Sequence, residues 1–89
     1  MHAVVVNVTI ADPEASAVAL REQVVPRVSQ APGFVAGYWT RREDSDKGLS
    51  MIVFESEENA NEAAGRIRSI APADVTVEDV EVREVVASA

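Results

Sequence analysis

The sequence predicts one α+β domain built in the order β-α-β-β-α-β. Three observations predict it. Two segments carry apolar residues at helical spacing, short β-branched runs flank them, and the 89 residues are enough for a single core only. Hydrophobic residues make up 47% of the chain, the composition of a globular protein and not of a disordered one.

The elements follow in order. Ala3 to Ile10 (AVVVNVTI) reads as a strand interrupted only by Asn7. Asp12 and Pro13 suit an N-cap and a first helical turn. From Glu14 to about Gln30, the residues Ala17, Leu20, Val24 and Val28 fall on one helical stripe. Pro26 removes a hydrogen bond to the carbonyl of Glu22, so a kink or an early end is expected there. Ala31-Pro32-Gly33 then stops the helix.

Phe34 to Arg42 is a second strand, the polar run Glu43 to Gly48 a hairpin turn, and Leu49 to Glu55 a third strand. Ser56 is a good N-cap, and Glu57 and Glu58 favour the positive end of a helix dipole. Ala60, Ala63, Ala64 and Ile67 mark one face of the second helix. The last strand begins near Val75. Val75 and Val77 share one parity and Val80 and Val82 the other, which a strand of period two reconciles only by a bulge near Glu78–Asp79. The order is that of the ferredoxin-like split β-α-β, with a four-stranded antiparallel sheet.

Composition narrows the function. The chain has no cysteine, so disulfides, thiolate catalysis and Cys-based metal sites are excluded. A net charge of -7 with one lysine, Lys47, and scattered arginines argues against nucleic acid. No apolar run has the length of a membrane span, and no charged start precedes an apolar stretch and cleavage site, so the expected compartment is the cytoplasm.

The strands also predict an assembly. An antiparallel sheet with helices on one face alternates apolar and polar residues, and this chain departs from that rule. By simple alternation Phe34, Ala36 and Tyr38 share one face of the second strand, and Val35, Gly37 and Trp39 the other. In the third, Leu49, Met51 and Val53 oppose Ile52 and Phe54. The second face would leave an apolar patch in water larger than soluble monomers show. Burying on the order of a few hundred Å² contributes several kcal/mol at roughly 25 cal/mol per Å², before association costs. Sheet-on-sheet packing in a homodimer is the expected solution.

The run Ala31 to Trp39 (APGFVAGYW), preceded by Val25-Pro26-Arg27, together with Val53-Phe54-Glu55-Ser56-Glu57-Glu58 entering an Ala-rich helix, resembles the antibiotic-biosynthesis monooxygenase-like family of the dimeric α+β barrel superfamily. The resemblance spans Ala3 to Val86. It implies a dimeric α+β barrel over residues 1–89. It also implies a cofactor-independent monooxygenase, or a related oxidoreductase, acting on a small aromatic or quinol-like compound without metal or flavin. In that family Asn, Trp, Tyr and Arg side chains line a pocket beside the sheet. Asn7 stands where the heme-degrading members carry an asparagine, and Phe54 where a tryptophan ends their third strand. Their heme-ligating histidine falls within Ser56 to Ser69, which holds none here, so heme degradation is not expected.

The candidate substrate-binding residues are therefore Asn7, Tyr38, Trp39, Arg41 and Phe54, the first four with a structural alternative. Asn7 either orients a substrate oxygen or is satisfied by neighbouring backbone or at the subunit seam. Tyr38 and Trp39, on opposite faces, are either stacking surfaces or packing anchors. Arg41 either neutralises an enolate or carboxylate or balances the acidic turn after it. His2, the one histidine, is expected at a mobile terminus and makes neither a metal site nor a held base. With no tuned titratable cluster, the alternative function is a non-catalytic dimer that binds a small apolar ligand or is purely structural.

Overall fold

The computed structural model describes residues 1–89. The β-branched runs form strands β1 (His2–Ile10), β2 (Phe34–Arg41), β3 (Lys47–Phe54) and β4 (Val75–Glu84). The helical segments are α1 (Pro13–Ala19), continued by a π-helical turn Leu20–Val24 into α2 (Val25–Ser29), then α3 (Glu57–Ala64) and a short α4 (Ile67–Ile70). The strands make one sheet in the order β2-β3-β1-β4, every neighbouring pair antiparallel. This α+β arrangement is compatible with a ferredoxin-like fold.

Both helix starts are set by side chains. The Asp12 carboxylate accepts from the Ala15 N–H at 3.2 Å with Pro13 in the first turn, and the Ser56 hydroxyl accepts from the Asn59 N–H at 3.1 Å. Pro26 neither ends nor sharply breaks the first helix. The turn before it widens: the Val25 N–H reaches back to the Leu20 carbonyl, one residue further than in an α-helix. That extra residue per turn lets the chain resume as α2 with Pro26 in its first turn, where a missing N–H costs least. The second helical segment is interrupted at Gly65 and Arg66, so Ala60 and Ile67 reach the core from two short helices instead of one.

The bulge expected near Glu78 is present. Asn7 pairs with Asp79 and Val8 with Val77, leaving Glu78 as the extra residue. In consequence Val75, Val77, Val80 and Val82 all stand on one face, opposite Ile10, Val8, Val6 and Val4. A second bulge changes the face assignment of β2. Phe34 pairs with Phe54 and Ala36 with Val53, so Val35 is extra. Phe34 therefore shares a face with Gly37 and Trp39, not with Ala36 and Tyr38, and its ring meets that of Phe54 edge-on at 6.2 Å.

The core lies between this face and the helices. Val4, Ile52, Phe54 and Ala60 are essentially inaccessible, and Val24, Val28 and Ile67 close over them. Gly33, with φ of 78°, turns the chain into β2, and the Asn59 side chain occupies the space a Cβ there would need. His2 is not a loose terminus: it lies in β1, with its Nε2 3.7 Å from the Glu57 carboxylate. No helix is long and apolar enough to cross a membrane.

Candidate functional site

Two spaces open on the helix-covered face. The first is a cleft of about 60 Å³ beneath the π-helical turn. Val6, Val8 and Val77 floor it, Leu20 and Val24 roof it, and Ile70 closes one side. Its polar lining is confined to Ser16, Ser50 and Thr40, with the indole of Trp39 at the wall. Ser16 is 2% exposed because it lies on the buried stripe that continues as Leu20, Val24 and Val28. Thr40 pairs with Leu49 in the ladder, so its side chain lies on the opposite face of the sheet, where the hydroxyl donates to the Leu49 carbonyl at 2.6 Å. No titratable side chain lines the cleft.

Trp39 reaches this wall because of Gly37. A Cβ at Gly37 would stand 2.8 Å from the indole ring, with the Phe34 ring at 3.5 Å. Glycine thus allows the indole to lie across the strand beside Phe34, a placement any larger residue would displace. Opposite Trp39 in the ladder is Ser50.

The second space is a groove of about 310 Å³ between α2 and α3. Phe54, Ala63 and Ile67 contribute its apolar floor, while Arg27, Arg66 and Asn59 contribute its polar rim. The Asn59 carbonyl oxygen is held by the Ser56 hydroxyl at 2.7 Å, which fixes the amide over Gly33. Val28, Ile52, Ile67 and Ile70 border both groove and cleft, so the two are separated only by apolar side chains.

The sequence candidates divide between these spaces and the opposite face. Trp39 lines the cleft and Phe54 the groove. Asn7 pairs with Leu49 and Asp79, and Tyr38 with Met51, which places both on the face without helices. Arg41, opposite Gly48 at the far end of β2, is exposed and lines neither space. The five residues therefore do not converge. Ser16 and Arg27 are not among the candidates the sequence suggests, although Ser16 interrupts the apolar stripe at i−4 from Leu20.

The open face has its own pattern. Val35, Tyr38, Leu49 and Met51 are its exposed large apolar groups, Tyr38 the most so at 66%. Val5, between Met51 and Glu81 in the ladders, is flanked by longer side chains and buried. On the β4 side the face turns charged. Arg83 donates to Glu81 at 2.8 Å, and the Lys47 ammonium donates to the Thr9 hydroxyl, which donates to Glu78. The Arg83 hydrogen bond holds the Glu81 carboxyl below its ordinary value against the opposing effect of desolvation, with a lesser contribution from the Arg83 charge. No group of three His, Asp or Glu side chains is placed to hold a metal ion.

No protein-family model matches the chain, and no curated protein matches it significantly.

Proposed function

We propose that this chain is a homodimer joined through its open sheet faces, and that each subunit binds a small apolar or aromatic compound between sheet and helices. One observation carries the binding reading. The space under the π-helical turn is lined by aliphatic side chains and one indole, with the hydroxyls of Ser16 and Ser50 as its few other polar side-chain groups. Such a lining favours a guest through apolar burial and offers few orienting hydrogen bonds. The cleft alone is small. The adjoining groove, separated from it by apolar side chains, is about 310 Å³, at the low end of the range of about 300–1,000 Å³ usual for small-molecule sites.

The dimer reading is supported by the apolar groups on the edge strand β2 and on β3, with charged groups along β4 at the opposite edge. Interfaces likewise join an apolar core to a polar rim. The patch of Val35, Tyr38, Leu49 and Met51 is the part a second sheet would cover.

A second reading, a cofactor-free oxidation of an electron-rich aromatic compound, rests on Trp39. Its indole at the cleft wall can stack such a ring. Asn7 is on the other face and contributes to this chemistry only if the pocket forms at the dimer seam.

Titration with a small phenol, followed by the emission of Trp39 and by an oxygen electrode, separates these readings. Saturable quenching without oxygen uptake is the expected result. Uptake that depends on Trp39 transfers the assignment to oxidation. A flat titration across mono- and bicyclic phenols contradicts both.

A further inference from the structure

We infer that the groove between α2 and α3 is the mouth of the ligand site and takes the carboxylate of a small amphiphilic acid, whose apolar body runs toward the cleft. This inference rests on the reading that the cleft accepts an apolar guest, and it adds the chemical class of that guest.

Charge at the mouth is the first argument. The chain carries a net charge of -7, yet this groove is rimmed by Arg27 and Arg66 against the single carboxylate of Glu62. Glu62 already pairs with Arg66 at 3.3 Å. Arg27 forms neither an ion pair nor a hydrogen bond with another side chain or carbonyl. It sits in the last turn of α2 with its donors free, beside the side chain of Gln30 and across from Asn59. The Asn59 carbonyl is turned to Ser56, which leaves the amide's N–H donors for the groove. The rim thus offers a cation and neutral donors, and its one anion is partly neutralised. That set matches a carboxylate.

The floor supplies the second argument. Below the arginine rim the floor is Phe54, Ala63 and Ile67, and the side chains of Val28, Ile52, Ile67 and Ile70 are all that stands between this floor and the aliphatic cleft. A polar entrance that grades into a dry interior fits a molecule with one charged end and one apolar end. A neutral hydrocarbon would leave the rim unused, and a polar metabolite would leave the cleft unfilled.

The test compares octanoate with 1-octanol, which has the same chain length without the charge, by calorimetry on the full-length protein. Octanoate is expected to bind more tightly, and Arg27→Gln to weaken it about tenfold, the loss of one charge-assisted hydrogen bond, with 1-octanol unchanged. Glu62→Gln should tighten octanoate, because it removes the opposing charge and frees Arg66. Arg27 and Glu62 are exposed, and circular dichroism would verify that both variants remain folded. Equal binding of the two ligands, or octanoate binding indifferent to both substitutions, overturns the carboxylate assignment while leaving the apolar guest in place. Failure of both ligands to bind at millimolar concentration overturns the assignment together with the reading it rests on.

Discussion

The two faces of this sheet are built from similar residues and meet different fates. On the helix side Val4, Ile52 and Phe54 are 0–1% exposed, while on the other side Leu49 and Met51, one ladder step away, are each 41% exposed. Hydrophobicity alone does not distinguish them. The difference lies in coverage: α1 to α4 pack over one face and leave the other open. The covered face holds the fold together, and the open face is the one the proposed dimer would bury.

Substitutions on the two faces should therefore differ in kind. The largest effect is expected from Phe54→Ala. Phe54 is fully buried against Phe34, and removing such a ring costs about 3–5 kcal/mol. At about 4–8 °C per kcal/mol for a domain of this size, calorimetry should show a drop well above 10 °C or outright unfolding. A Tm within a few degrees of the parent would mean that the core is not centred on this ring.

Gly33→Ala comes next. It combines a positive φ with overlap on the Asn59 side chain, and about 1–2 kcal/mol should be lost. Ser56→Ala removes the cap of α3 and should cost about 1 kcal/mol. Urea denaturation resolves both, and the order of the two effects sharpens how much of the helix side depends on backbone and how much on capping.

Met51→Glu on the open face should change the stability of an isolated subunit by only about 0.5 kcal/mol, because the residue is half in water already. The smallest effect is expected from Glu81→Gln, an exposed group paired with Arg83. Its carboxyl is held low when folded, so any contribution is present above the unfolded-state value. It fades as pH falls through the folded one. Acid titration of the variant and the parent should give nearly superimposable stability curves.

Much of this contrast was legible in the residues. The bulge at Glu78 announced itself because Val75 and Val77 fall out of parity with Val80 and Val82, and an alternating strand cannot hide such a slip. The bulge at Val35 left no such mark. Phe34 to Trp39 is apolar or small at every position, so shifting it by one residue changes nothing in the pattern. Pro26 was legible as a disturbance of the helix, but its resolution as a π-helical turn depends on packing Leu20 and Val24 over the sheet, which propensity does not encode. The site was harder. Trp39 and Phe54 were visible as aromatics, while the groove needs Arg27 from one helix beside Asn59 and Arg66 from another. Only the folded chain brings these together.

In the proposed dimer a second copy of the chain covers the open face. Sedimentation equilibrium of the parent protein and of Met51→Glu, both at micromolar concentration, tests it most directly. A dimeric parent and a folded, monomeric variant are the predicted result. A monomeric parent, or a dimer that survives a charge placed in the middle of the apolar patch, would contradict it.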